Sequence, residues 1–122
     1  MELKDLEVYK LAREISAMGW KIYQCFTQED KRTMGNQFIR SIDSVGANIA
    51  EGFGRYHYAD KNRFYYNARA SLFESAHWLE ILHERNRIDV EAFKELDVRL
   101  PELHRKLNSF IRSTKMRSEN SH

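Results

Sequence analysis

Four stretches of the sequence place apolar or small residues at alternating spacings of three and four positions. In an α-helix this spacing lines the residues up as one stripe, which packs against neighbouring helices. A β-strand would need a period of two, and no segment sustains it. The stripes are Val8, Ala12, Ile15, Gly19, Ile22 and Phe26; Phe38, Ile42, Val45 and Ile49; Phe64, Ala68, Ser71, Ser75, Trp78 and Leu82; and Phe93, Leu96, Leu100, Leu103, Leu107 and Phe110. The pattern predicts an all-α, antiparallel up-down-up-down four-helix bundle.

Short polar or glycine-containing segments separate the stripes. Residues 27–33 and 85–89 are two of these connections, and connections this short favour antiparallel neighbours. Gly52 and Gly54 follow the second stripe, where glycine relieves the strain of a left-handed helix end. The side chains expected to cap the helix N-termini are Asp5, Asp30 or Thr33, Asp60 and Asp89.

A single proline, Pro101, falls inside the predicted fourth helix. It removes a backbone donor and crowds the preceding turn, so we expect a kink there. The sequence after Lys115 is polar, and we expect a bundle domain over residues 1–117 and a flexible tail over residues 118–122.

Further large apolar side chains lie outside the four stripes, and small residues lie within them. Some of the large ones are expected to widen the core, and the rest to form a subunit interface, which predicts an oligomer. Small residues on the second and third helices, including Gly46, Ala50, Ser71 and Ser75, predict close packing between these two helices. The large apolar residues outside the stripes are Leu11, Met18, Trp20, Tyr65, Tyr66, Leu72, Phe73, Leu79 and Ile111.

Composition limits the cellular setting. Hydrophobic residues make up 42% of the 122 residues, which suits one folded domain, and Cys25 is the sole cysteine, which precludes an internal disulfide. The N-terminus is charged with no apolar run after it, so no signal peptide is expected. No apolar run approaches the roughly 20 residues that span a bilayer. We therefore expect a cytoplasmic protein without a membrane segment.

Two segments of the chain are basic although the formal net charge is only +2. Residues 30–70 hold seven bases and four acids, a net charge of +3, and residues 99–117 hold six bases and one acid, a net charge of +5. Residues 71–98 are acidic, with seven acids and three bases. Solvated helix faces would explain this distribution, and so would a surface that binds a polyanion.

The sequence contains no complete motif for catalysis or for metal binding. Two pairs with Glu-x-x-His spacing, Glu74 with His77 and Glu80 with His83, could each place two metal ligands on one helical face. Both pairs lie on the third helix, six residues apart, which is about 240° of rotation, so they cannot face one metal centre. No nucleophile elbow or phosphate loop is present. We expect no enzyme activity, no metal and no cofactor.

Cations interleaved with aromatic residues surround the connection between the second and third helices. Such residues can neutralise phosphates and stack on unpaired bases, which favours RNA as the partner, with DNA as the alternative. Aromatic core residues beside solvated charges would give the same pattern. The predicted nucleic-acid-binding residues are Arg40, Arg55, Lys61, Arg63 and Arg69, and, on the fourth helix, Arg105, Lys106, Arg112 and Lys115.

Residues 37–55, QFIRSIDSVGANIAEGFGR, resemble the signature of the bacterial 23S rRNA intervening-sequence proteins. Residues 3–12 and 106–115 are similar to the opening and closing helices of the same family. The signature positions, to which we assign mainly structural roles, are Gln37, Ser44, Asn48, Glu51, Gly52, Ser71 and Glu74. Gly46, where the family often has proline, and Pro101 depart from the pattern.

The resemblance implies a four-helix bundle that assembles as a homopentameric ring. It also implies relatedness to the accessory proteins of diversity-generating retroelements, which are similar pentamers that bind RNA and a reverse transcriptase. The family name records where the genes were found and not an activity. The leading hypothesis is a non-catalytic RNA-binding homopentamer. The alternative is a protein-interaction scaffold that does not bind nucleic acid, and a di-metal oxidase is a third candidate that metal analysis would test.

Overall fold

The computed structural model describes residues 1–120, and four long helices make up most of them. They are α1 (Glu7–Gln24), α2 (Asn36–Phe53), α3 (Tyr58–Glu84) and α4 (Val90–Asn120). A 3-10 turn, Leu3–Asp5, precedes α1, and the turn Gln28–Asp30 and the π-helical turn Lys31–Gly35 lead without a break into α2. The predicted all-α fold is confirmed.

Contacts between the helices show an antiparallel bundle. Each helix packs against two others, in the order α1, α2, α3, α4 around a central core. Residues that come later on α3 contact residues that come earlier on α2. Ser71 donates a hydrogen bond to Ser44 at 2.9 Å, and Ser75 lies 3.2 Å from Ser41. The start of α1, the end of α2, the start of α3 and the end of α4 therefore meet at one end of the bundle.

The predicted stripes match the core on α1, α2 and α4 but not on α3. On α4, Leu96, Leu100, Leu103 and Leu107 are buried as predicted, and Ile111 follows them instead of Phe110. On α3 the predicted stripe was wrong in part, because Phe64, Ser71 and Trp78 lie at its edge. The buried residues of α3 are Asn62, Tyr65, Ala68, Leu72, Ser75, Leu79 and Leu82. Apolar residues occur nearly all round this helix, so periodicity alone cannot select the buried face.

Helices α2 and α3 make the most extensive contact in the bundle, as the small residues predicted. Serine hydroxyls fill the interface and satisfy one another and the backbone: Ser41 donates to the carbonyl of Phe38 at 2.8 Å, and Ser75 to that of Ser71 at 2.8 Å. Gly46, in contrast, faces α1, where a Cβ on it would lie 3.7 Å from the Cβ of Ala12.

Most of the predicted helix caps were wrong. Asp89 caps α4, where its carboxylate accepts from the amide of Ala92 at 3.2 Å. The helical segment leading into α2 is capped by Thr27, because the chain becomes helical earlier than the stripe suggested. Asp5 lies in the 3-10 turn before α1, and Asp60 lies inside the first turn of α3. Gly54 ends α2 with φ −77°, so the predicted left-handed glycine is absent there.

The fourth helix continues through Pro101 and on to Asn120. Residues 118–120 of the expected tail are therefore helical, and residues 121–122 lie outside the described part of the chain. No helix within residues 1–120 is long and apolar enough to cross a membrane.

Candidate nucleic-acid interface

A groove of about 810 Å³ opens at the end of the bundle where α1 begins and α4 ends. We call it the end groove. Its floor is apolar and aromatic, and the basic, hydroxyl and acidic side chains lie among its other lining residues. The floor residues are Leu6, Val8, Phe53, Tyr65 and Phe110.

A close approach of α2 to α3 forms one wall of the end groove. A Cβ at Gly52 would lie 2.6 Å from Cε1 of Tyr65 and 2.9 Å from the carbonyl oxygen of Lys61. Only glycine leaves room for this approach, because the backbone of α3 cannot give way cheaply. The ring of Tyr65 then packs against Phe110 of α4, with 4.8 Å between ring centroids. The signature residue Gly52 thus shapes the groove.

Cations from both basic segments of the sequence line the end groove. Lys61 comes from the start of α3, while Arg105, Lys106 and Arg117 come from α4. The hydroxyl-bearing residues Tyr58, Ser109, Ser113 and Thr114 also line it, as do Asp5 and Glu7 from the start of the chain. The fold therefore brings cations of the two basic segments to one groove, although the acidic residues 71–98 separate these segments in the sequence.

Lys61 has a structural contact of its own. Its ammonium group donates a hydrogen bond to the carbonyl of Phe53 at 2.7 Å and lies 5.4 Å from the centroid of the Phe53 ring. Desolvation by burial lowers the pKa of this lysine. Lys61 therefore stabilises the end of α2 and also contributes positive charge to the groove.

Tyr65 is the most deeply buried of the polar residues that line the end groove. The residue is only 1% exposed. Burial raises the pKa of Tyr65 to about 12, and the charge of Arg117 acts in the opposite direction. Sequence reasoning missed Tyr65 as a site residue, because its position outside the four stripes gives no sign that it lines a groove.

Arg55 and Arg63 do not line the end groove. They lie against the same ring, that of Phe64, at 4.6 and 4.8 Å from its centroid. Each also pairs with a carboxylate, Arg55 with Glu51 and Arg63 with Asp60. Their charges are thus partly compensated on the outer edge between α2 and α3.

The other predicted binding residues differ in the contacts that they already make within the protein. Arg69 is half-buried, donates to Oδ1 of Asn108 at 2.9 Å and lies 4.9 Å from the Tyr66 ring centroid, so it connects α3 to α4. Arg112 donates to the hydroxyl of Ser109 at 3.2 Å. Within residues 1–120, the exposed cations that form no salt bridge include Arg40, Arg105, Lys106, Arg112 and Lys115.

Several signature residues make polar contacts on the α2–α3 side of the bundle. The amide of Asn48 donates to the carbonyl and the hydroxyl of Ser44, at 2.9 and 3.0 Å. Glu74 accepts from the indole nitrogen of Trp78 at 3.1 Å, and Gln37 is exposed on α2. Both sets of contacts join residues four positions apart on the same helix.

Exposed aromatic side chains lie on two opposite sides of the bundle. Trp20 is 50% exposed and stacks on Tyr23, whose hydroxyl donates to Asn36 at 2.6 Å, on the α1–α2 side. Phe73 is 60% exposed and packs against His104 of α4, on the α3–α4 side. Tyr66, 44% exposed, lies on the outer surface of α3. The remaining large side chains outside the predicted stripes are buried or half-buried, as expected for a widened core.

The histidines of the Glu-x-x-His pairs lie against different aromatic rings. His77 is 4.9 Å from the ring of Trp78, and His83 stacks on Phe93 at 3.8 Å. Within residues 1–120 no three His, Cys, Asp or Glu side chains are grouped so that they could hold a metal ion.

The fold and this end of the molecule define an antiparallel four-helix bundle protein with a basic, aromatic groove. The family model of the 23S rRNA-intervening sequence protein matches residues 4–109, and the chain belongs to that family. It is similar to the crystal structure of a protein of unknown function from the S23 ribosomal protein family of Bacteroides thetaiotaomicron VPI-5482. The TM-score is 0.80 at 27% identity, over 86% of this chain and 95% of the other. No curated protein matches the sequence.

Proposed function

We propose that this protein is a non-catalytic, RNA-binding homo-oligomer whose RNA-binding surface is the basic end of the bundle. The observation that carries the proposal is the convergence of Lys61 with Arg105 and Lys106 around one groove. Positive charge concentrated at one end of a nearly neutral molecule provides a local footprint for a polyanion.

The exposed face of α4 supplies the main electrostatic attraction. Arg105, Lys106, Arg112 and Lys115 are exposed and are not neutralised by carboxylates within residues 1–120. Phosphates that meet these cations release condensed counterions, which favours binding with little dependence on sequence. DNA could satisfy the same contacts. RNA is preferred here because of the chain's family resemblance to RNA-binding accessory proteins.

Assembly would multiply this charge. The exposed Trp20 and Phe73 lie on opposite sides of the bundle, which suits a head-to-tail contact between copies better than a two-fold one. Head-to-tail contacts that close form a ring, and the family resemblance favours five copies. Each ring would then present five copies of the basic end, and multivalency would raise the apparent affinity for RNA.

The second candidate function is a protein-interaction scaffold in the cytoplasm. A smaller apolar groove of about 210 Å³ between α3 and α4, which includes Phe73, Pro101 and His104, would fit an apolar side chain of a partner protein. A reverse transcriptase is the partner that the family relationship suggests. In that case the exposed aromatic surfaces would bind the partner, and RNA would not be needed.

Charge-matched variants separate the two functions. Replacing Arg105, Lys106, Arg112 and Lys115 by Gln removes four positive charges from the basic end. As the control, replacing Lys21, Arg32, Arg85 and Lys94 by Gln removes the same charge from the opposite end. In an electrophoretic mobility shift assay with a structured RNA, the first variant should lose retardation and the second should keep it. Equal behaviour of both variants, or no retardation by the wild-type protein, would favour the scaffold.

A further inference from the structure

We infer that the end groove binds a single unpaired nucleotide of an RNA strand, with the base on its aromatic floor and the phosphate against its basic side chains. This inference rests on the proposed RNA binding and specifies which part of an RNA is recognised.

The floor of the end groove suits a flat aromatic ligand. Phe53 and Phe110 are only half-buried, so parts of their rings face the open volume. Bases of any identity can stack on such faces, because every base has a π-surface. A base paired within a duplex is already stacked on its neighbours and cannot enter a groove between helices, so the site selects unpaired nucleotides.

The hydroxyl of Tyr65 offers a polar contact inside this apolar floor. Tyr65 is only 1% exposed, yet it is among the residues that line the groove. A phenol hydroxyl can donate to or accept from the polar edge of a base, which an aliphatic ligand does not offer.

The charges around the groove fix the orientation of the nucleotide. Arg105 and Lys106 lie on α4, while Asp5 lies in the turn before α1 and Glu7 is the first residue of α1. A phosphate is attracted to α4 and repelled from the start of α1. The strand backbone therefore follows α4, where Arg112 and Lys115 continue the positive face.

Removal of one hydroxyl provides the first test. Tyr65→Phe deletes the hydroxyl and keeps the ring, so the fold should be retained, which thermal unfolding checks. The affinity for a short single-stranded RNA, measured by fluorescence anisotropy, should fall about 3- to 10-fold, the effect of one hydrogen bond. Tyr56→Phe, in the exposed turn before α3, is the matched control and should leave the affinity unchanged. A Tyr65→Phe protein with wild-type affinity would overturn the inference.

The aromatic floor is tested by Phe110→Leu, with Phe93→Leu as its control. Both residues are half-buried on α4, but Phe93 lies at the opposite end of the bundle. Loss of a stacking ring should lower the affinity for single-stranded RNA about 5-fold or more in Phe110→Leu only. A blunt RNA duplex of the same sequence should compete poorly, and a nucleoside monophosphate should compete weakly but measurably.

The outcomes distinguish this inference from the proposed function. If wild-type protein binds RNA but duplex competes as well as single strand, and the Tyr65 and Phe110 variants bind normally, the groove is not a nucleotide site and RNA binding still stands. If wild-type protein binds no RNA at low salt, the proposed function fails before any variant is measured, and this inference fails with it.

Discussion

The ammonium group of Lys61, near the start of α3, lies 2.7 Å from the carbonyl oxygen of Phe53, the last residue of α2. The carbonyls at a helix C-terminus have no partner within the helix and carry partial negative charge. The Lys61 side chain thus links the end of α2 to the start of α3 and adds a positive charge to the end groove.

Replacement of Lys61 by Met should lower the free energy of unfolding by about 1–2 kcal/mol, because a charge-assisted hydrogen bond to the helix end is lost. Urea unfolding followed by circular dichroism measures the change. Lys115→Met, which removes an exposed cation from α4, should change stability by less than about 0.5 kcal/mol. Equal stability of the two variants would show that the Phe53 contact contributes little in solution.

Gly52→Ala should destabilise the fold by about 1–3 kcal/mol, because the added methyl group would meet Tyr65 and the backbone of Lys61. Gly54→Ala is its control: a Cβ there would lie 3.6 Å from its nearest neighbour, the carbonyl oxygen of Glu51, and φ is −77°. Thermal unfolding compares the two variants. If Gly54→Ala proved the more damaging change, the close approach of α2 to α3 would not explain the glycine.

The high pKa of Tyr65, about 12, predicts a pH dependence of stability. In the unfolded chain a tyrosine ionises near its usual pKa of about 10, whereas the folded protein keeps the hydroxyl protonated to about 12. The unfolded state therefore binds fewer protons over this interval, and the free energy of unfolding falls as pH rises through it. Below the unfolded pKa the contribution is fully present.

Wild-type protein should lose more stability than Tyr65→Phe between pH 10 and 12, as measured by urea unfolding at several pH values. The lowered pKa of Lys61 makes the free energy of unfolding rise with pH, which is opposite to the effect of Tyr65. Both proteins contain Lys61, so its contribution cancels when their stabilities are compared. Parallel curves for the two proteins would place the Tyr65 hydroxyl in contact with water.

Assembly is tested by charges placed on the exposed aromatic surfaces. We expect wild-type protein to be a stable oligomer at micromolar concentration, with five copies as the favoured number. Trp20→Asp and Phe73→Asp should each reduce the mass by light scattering while circular dichroism keeps its helical signal. Tyr56→Asp, at a position that is 89% exposed, should leave the mass unchanged. A monomer mass for the wild type would exclude the ring.

Periodicity predicted the number and order of the helices because three of the four stripes are clearly one-sided. It failed on α3, because this helix carries large apolar residues on more than one face. Tertiary packing buries Tyr65, Leu72 and Leu79 and leaves Phe64 and Trp78 at the edge of the core. The cap at Thr27 was missed because polar residues fill the whole connection before α2.

The proposed binding residues could be predicted as basic residues, but their arrangement on the surface could not. Sequence could not show that Arg55 and Arg63 share the ring of Phe64, or that Arg69 connects α3 to α4. These contacts depend on side-chain packing between elements. Helical spacing on α4 could have placed Arg117 with Lys106, eleven residues earlier, because eleven residues make about three turns.

The salt dependence of RNA binding by the wild-type protein tests the central claim most directly. Affinity for a structured RNA with unpaired loops should be measured from about 50 to 200 mM salt, where contacts to phosphates make log K fall linearly with the logarithm of salt concentration. The account predicts retardation of the RNA at low salt and a steep negative slope, of about −0.7 to −0.9 for each phosphate contacted. No binding at the lowest salt, or an affinity that does not change with salt, would contradict it.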